Sequence, residues 1–171
     1  MTATPRLFIG LSPTESVRQH LALIRHHVHT RFGGRVVSTA NLHLTLAFLG
    51  PTPAARSADL IRMIDGLGFA PLDLTLDQIG SFDRARVVWL GLSAHHAALD
   101  KLVESLRAQL RAGQFPTEDH PFNAHVTLLR KATCMTEPVE PIAWRADTLC
   151  LYESVSTPEG VRYDVLHRRS V

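Results

Sequence analysis

The sequence predicts an α+β fold made of two pseudo-symmetric lobes, each an antiparallel sheet with helices on its outer face, with a cleft between them. Three observations lead there. Strand-like and helix-like stretches follow one another as β-α-β-α-β-β-α-β-β-β, an order that segregates helices from mainly antiparallel strands. The stretches NLHLTLAFLG (41–50) and PFNAHVTLLR (121–130) each place a His-x-Thr in an apolar strand, about half the chain apart, as a duplicated lobe would. The phosphate loops GxGxxG and GxxxxGK[ST] of doubly wound sheets are both missing.

The elements follow in order. Residues 6–11, RLFIGL, form an apolar run suited to a buried strand. In SPTESVRQHLALIRHHVHT, Ser12 is expected as N-cap, Pro13 at the first helical position and Glu15 three residues after the cap. Val17, Leu21, Ile24 and Val28 then recur at helical spacing, predicting a helix of roughly 16 residues that stops at Gly33-Gly34. A short strand near Arg35–Val37 precedes the strand LHLTLAFLG. There Leu42, Leu44 and Leu46 point one way and His43, Thr45 and Ala47 the other. Thr52-Pro53 offers a second cap-plus-proline start, for a helix through about Asp65 with Leu60, Ile61 and Ile64 on its apolar face. LDLTLDQIG and ARVVWLGLS are strands joined by SFDR. Ser93 is expected to cap a helix carrying Leu99, Leu102, Val103, Leu106 and Leu110, ended near Gly113. FNAHVTLLR is a strand, and TLCLYES and VRYDVLHRRS close the chain as a hairpin around TPEG. No low-complexity linker divides this order, so residues 1–171 are expected to form one bilobal domain.

Composition narrows the function classes. With 45% hydrophobic and 20% charged residues, the 171-residue chain can build a core that needs no disulfide or metal staple. The formal charge is +2 with scattered Lys and Arg, which excludes a basic arm that binds nucleic acid by charge alone and leaves a small anionic ligand open. Cys134 and Cys150 lack metal or redox spacing and read as free thiols of a reducing compartment. MTATPRLFIGL is too short in its apolar run for a signal peptide, and no stretch approaches the roughly 18 apolar residues of a membrane span. A soluble, cytoplasmic, monomeric protein is expected.

A histidine and a threonine two apart on a strand share one face, about 6 to 7 Å apart. One such pair is ordinarily a solvent face. Two copies within Leu- and Val-rich strands are different, because buried polar groups need partners. If the strands meet across a cleft, one neutral imidazole can take a proton from water while the other, protonated, gives one to a leaving oxygen. An unperturbed imidazole pKa of about 6.5 makes both forms accessible near neutrality. The threonine hydroxyls can hold phosphate oxygens, and a nearby Arg can balance their charge.

HLTLAFLG and HVTLLR resemble the two HxTx motifs of the two-histidine (2H) phosphoesterases, above all the bacterial RNA 2′,3′-cyclic phosphodiesterases, also described as 2′-5′ RNA ligases. RLFIGLSP, RVVWLGLS, the PF before the second motif and the closing RYDVLHRRSV agree in order, so the resemblance spans nearly the whole chain. It implies hydrolysis of an RNA terminal 2′,3′-cyclic phosphate to a 2′-phosphomonoester without metal or cofactor, with reverse 2′-5′ ligation as a side activity. It further implies His43 as proton donor, His125 as proton acceptor, and Thr45 and Thr127 as holders of the phosphate. The residues alone do not distinguish the two histidines. Arg130 matches the basic residue that follows the second motif. On an uninterrupted strand, however, Arg130, five residues after His125, would face away from the site; it can serve only if the strand ends, twists or bulges near Leu129, and Phe48 has the same parity problem as a candidate for stacking a base. Val36-Val37 stand where the family often carries an aromatic residue.

Other features carry less. His26, His27 and His29 suit the end of a helix better than a metal site, since only His26 and His29 share a helical face. His95 and His96 are expected to be exposed at a helix start, and Trp89 and Trp144 to pack in the core. Arg35 is a weaker phosphate-binding position. Two other functions remain open: a non-catalytic module binding RNA ends or nucleotides, and a cyclic phosphodiesterase acting on another small nucleotide.

Overall fold

The computed structural model describes residues 3–171. Among these described residues nine strands and three α-helices follow one another: β1 Arg6–Leu11, α1 Glu15–Phe32, β2 Arg35–Val36, β3 Leu44–Pro51, α2 Ser57–Gly66, β4 Leu72–Phe82, β5 Val87–Gly91, α3 Ala97–Ala112, β6 His125–Arg130, β7 Glu137–Ala146, β8 Thr148–Thr157 and β9 Gly160–Ser170. The strands form one antiparallel path, β7-β4-β5-β6-β3-β1-β8-β9, with the short β2 added to β6. The two halves of the path therefore do not stand apart as separate facing sheets. They join edge to edge where β3 meets β6, through one registered pair, Leu44 with Val126.

Strand alternation sorts the apolar residues onto the two faces. On one face Leu7, Ile9, Leu11, Leu44, Leu46, Leu74, Leu90 and Val126 join the buried stripes of the helices: Val17, Leu21 and Val28 of α1, Leu60 and Ile64 of α2, and Leu99 to Leu110 of α3. On the other face Phe8, Cys150 and Tyr152 make a small second cluster with Tyr163 packed against it. β1 is thus buried on both sides, which is why RLFIGL reads as a continuous apolar run. The helices cross between halves: α1, which follows β1, packs on β6 and β7, whereas α3, which follows β5, packs on β3. An ion pair of Arg31 with Glu137 ties α1 to β7. Among the described residues no helix is long and apolar enough to cross a membrane.

Several expected starts and ends move. The N-cap of α1 is Thr14, whose hydroxyl accepts from the Val17 amide (3.3 Å), because the Ser12 amide is still engaged with the Thr148 carbonyl of the sheet (3.0 Å). Pro53 opens a 3-10 turn, Ala54–Arg56, and α2 begins only at Ser57. Ser93 is held by the Asp77 carboxylate, so His96 caps α3 with Nδ1 accepting from the Leu99 amide (3.2 Å) and is half-buried in consequence. β4 runs through Ser81-Phe82, two residues into the expected turn. The strand β7 was not expected: its Pro138 and Pro141 argue against a strand interior, but β7 lies at the sheet edge, where a missing amide breaks no ladder.

Gly10 of β1 lies opposite Thr45 of β3. A Cβ there would sit 2.8 Å from the Leu44 carbonyl oxygen and 3.3 Å from the His43 ring. Gly10→Ala is expected to destabilise the protein by about 1–3 kcal/mol, an overpacking cost. A thermal melt should register it as a fall of roughly 2–4 °C per kcal/mol, together with lowered activity as the His43 ring is displaced.

Candidate active site

The pair Leu44–Val126 organises the site. In antiparallel register the neighbours of a pair face each other, so His43 comes opposite Thr127 and Thr45 opposite His125, all on the face away from Leu44 and Val126. The four side chains form a square with each histidine diagonal to the other, a spacing of about 7 to 8 Å. A cavity of about 50 Å³ lies there, lined by His43, Thr45, His125, Thr127, Arg130 and Tyr163 among others.

Both imidazoles are held the same way. Nδ1–H of His43 donates to the Asn41 carbonyl (2.7 Å), and Nδ1–H of His125 donates to the Asn123 carbonyl (2.7 Å). A carbonyl can only accept, so Nδ1 carries the proton and each neutral ring keeps its Nε2 lone pair free for chemistry. In His43 that lone pair accepts from the Thr45 hydroxyl (2.7 Å). Asn41 is itself locked, its amide donating to the Val161 carbonyl (2.7 Å) and its side-chain oxygen accepting from the Tyr163 amide (3.2 Å). Arg18 pins the same turn, donating from one nitrogen to the carbonyls of Thr39, Ala40 and Leu42 at 3.1, 3.2 and 2.9 Å.

The surroundings of the rings differ. His43 is enclosed by Phe8, Tyr152 and Tyr163, with centroids 4.9, 5.4 and 5.2 Å away and Tyr163 edge-on, so that only one edge opens on the cavity. This desolvation pushes its pKa down from 6.5 to about 4; the Asn41 hydrogen bond opposes the fall, and the charges of His125, Arg18 and Arg130 add to it. His125 meets only Phe82 edge-on (4.9 Å). Its pKa is also lowered, first by burial and then by Arg130, against the raising effects of the Asn123 carbonyl and Glu118.

Each site strand contains a bulge three residues after its histidine. Opposite β5, Val88 pairs with Leu129 and Trp89 with Thr127, leaving Leu128 unpaired. Opposite β1, Ile9 pairs with Ala47 and Gly10 with Thr45, leaving Leu46 unpaired. The extra residue reverses strand parity. Leu128 and Leu129 are both buried while Arg130 emerges on the site face, and Phe48, 54% exposed, does the same in the other half. All five expected site residues thus border one cavity. Asn41, Asn123, Arg18, Tyr163 and Phe82 were not singled out in the sequence, although the repeat extends to Asn-x-His-x-Thr in both copies. The His26, His27 and His29 group stays apart; His29 Nε2 bonds the Gly34 carbonyl (3.2 Å). Among the described residues no three His, Cys, Asp or Glu side chains are grouped to hold a metal ion.

A second cavity of about 460 Å³ continues from the first and shares Thr45, His125, Thr127 and Arg130. Phe48, Phe82 and Phe122 give it an aromatic wall.

Comparison with known proteins adds to this geometry. The family described as "LigT like Phosphoesterase" matches residues 11–89. An RNA 2′,3′-cyclic phosphodiesterase of Escherichia coli K12 is 34% identical, over 98% of this chain and 97% of its own length. One from Thermotoga maritima is 32% identical, over 95% and 93%. The crystal structure of E. coli LigT complexed with 3′-AMP superposes with a TM-score of 0.86 at 32% identity, covering 98% of each chain.

The depressed pKa of His43 makes stability pH-dependent. The unfolded chain binds a proton at His43 from pH 6.5 downwards and the folded chain only near pH 4, so stability is intact above 6.5 and falls as pH drops towards 4. The loss from this residue is up to about 3 kcal/mol, at 1.36 kcal/mol per pKa unit. Denaturant melts across that window should show a shallower acid loss in His43→Gln than in the parent.

Proposed function

The chain belongs to the LigT-like phosphoesterase family, and on that premise we propose that it hydrolyses RNA terminal 2′,3′-cyclic phosphates to 2′-phosphomonoesters. His125 Nε2 takes a proton from water, whose oxygen attacks phosphorus. The bond from phosphorus to O3′ breaks, and His43 Nε2–H protonates the departing oxygen. Thr45, Thr127 and Arg130 hold the non-bridging oxygens as charge builds on them. A 5′-hydroxyl in place of water gives a 2′-5′ linkage through the same proton transfers. The observation that carries the reading is the square of two imidazoles and two hydroxyls around one anion-sized cavity, with both Nδ1 atoms tied to backbone.

The more enclosed ring suits the proton donor. It is neutral in the free protein, and a bound phosphate supplies the negative charge that restores its proton. The aromatic cavity suits the terminal nucleoside, with Phe48 or Phe82 against the base. Because one chain completes the cleft, we infer a monomeric enzyme, and its two free thiols fit the cytoplasm.

Turnover of a nucleoside 2′,3′-cyclic phosphate in excess EDTA tests this reading. His43→Ala and His125→Ala are each expected to lower kcat by about 10²- to 10⁴-fold; parent-like rates in both variants would overturn it. The pH profile of kcat/KM reports the free enzyme, in which both pKa values lie below 6.5, so its bell should be centred on the acid side of that value. Bound phosphate favours the cationic rings, so the kcat bell should sit at higher pH.

A further inference from the structure

We propose that Arg35 and Arg130 form a second phosphate subsite, which binds the 5′-phosphate of the nucleoside carrying the cyclic phosphate and so selects RNA ends over 5′-hydroxyl mononucleotides. The proposal rests on the cyclic phosphodiesterase reading. A third cavity, of about 200 Å³, adjoins the reaction cavity and includes none of the phenylalanines of the aromatic wall. It shares Arg130, Asn41 and Tyr163 with the reaction cavity, and Arg35, Ser38, Glu159 and Gly160 are among the other residues that line it.

Two arginines occupy this cavity in an arrangement that lacks its counter-ion. Arg35 of β2 is the direct register partner of Arg130 of β6, so the two side chains emerge on the same side of the sheet. Like charges directly opposite one another are unfavourable in a sheet unless an anion lies between them. Among the described residues neither guanidinium enters an ion pair or a side-chain hydrogen bond, whereas five other arginines are ion-paired and Arg18, Arg25, Arg86 and Arg169 donate to backbone carbonyls. Glu159 also lines the cavity, but it bonds to neither arginine.

Arg35 also reaches out of its own half of the sheet. A Cβ on Gly160, the first residue of β9, would lie 2.6 Å from its terminal nitrogen. Gly160 has φ 127°, a backbone conformation that favours a residue without a side chain, and the missing Cβ leaves that space to the Arg35 terminal nitrogen. The guanidinium is thereby parked over bare backbone between the two halves, with its donors free. Arg130 borders all three cavities, next to the reacting phosphate on one side and Arg35 on the other. An RNA end presents two phosphates in that relation: the cyclic phosphate across O2′ and O3′, and the phosphate on O5′ of the same nucleoside. Arginine forks match such oxyanions bidentately.

The test compares kcat/KM for three substrates: a nucleoside 2′,3′-cyclic phosphate with a 5′-hydroxyl, the same compound with a 5′-phosphate, and a dinucleotide ending in the cyclic phosphate. In the parent the last two should exceed the first by about tenfold, the scale of a charge-assisted contact at an exposed site. In Arg35→Gln that ratio should fall towards one, and Arg35→Lys should recover part of it. Replacing the internal linkage of the dinucleotide by an uncharged methylphosphonate should abolish its advantage, which separates charge from added length. The salt slope for the dinucleotide should be about 0.7 shallower in Arg35→Gln, the value for one phosphate on a single strand. A parent ratio near one, or an Arg35→Gln ratio equal to the parent's, overturns the subsite while leaving hydrolysis established. If no cyclic compound is turned over, the catalytic reading fails instead. The subsite is then judged by the affinity of a nucleoside 2′,5′-bisphosphate relative to the 2′-phosphate, which should again be about tenfold higher in the parent and equal if the subsite does not exist.

Discussion

One backbone pairing, Leu44 with Val126, decides where the chemistry falls. Each member lies directly after a histidine, so this single rung between the two halves of the sheet sets His43 against Thr127 and His125 against Thr45. A slip of one residue in either strand would turn its histidine and threonine together towards the helices. The contact is small, but crossed helices guard it: α1 leaves the half that contains β1 and braces β6 and β7, and α3 braces β3 from the other side. The register of the site is therefore fixed by the whole core and not by its own few hydrogen bonds.

The pairing also explains why both imidazoles are poised alike. In each half the carbonyl two residues before the histidine receives Nδ1–H, which assigns the reactive role to Nε2. The asymmetry comes from what surrounds the rings. Phe8, Tyr152 and Tyr163 close over His43, a cluster that exists because β1 and β8 are apolar on the site face as well as the helix face, with Tyr163 of β9 packed against them. His125 opens on the larger cavity. Two copies of one motif thus stand in different surroundings, as the proposed roles of proton donor and proton acceptor require.

Much of this was legible in the sequence, and the exceptions have physical reasons. The two His-x-Thr strands, the helical stripes of α1, α2 and α3, and the closing hairpin all follow from periodicity and turn residues. β7 was hidden by Pro138 and Pro141, which speak against a strand unless its place at the edge is known. The helix caps shifted because Ser12 and Ser93 were claimed by the Thr148 carbonyl and the Asp77 carboxylate, long-range partners that no local pattern reveals. Parity alone turned Arg130 and Phe48 away from the site; the bulges at Leu128 and Leu46 turned them back, and a bulge is set by the neighbouring strand. Asn41 and Asn123 could have been found, since both stand two residues before a histidine.

The central claim is that one anion is served by both rings at once. Histidine-labelled NMR titration with a nucleoside 2′-phosphate measures it directly. The account predicts that a single equivalent shifts the imidazole resonances of His43 and His125 together and raises both pKa values. A ligand that saturates while moving only one of the two rings would contradict it.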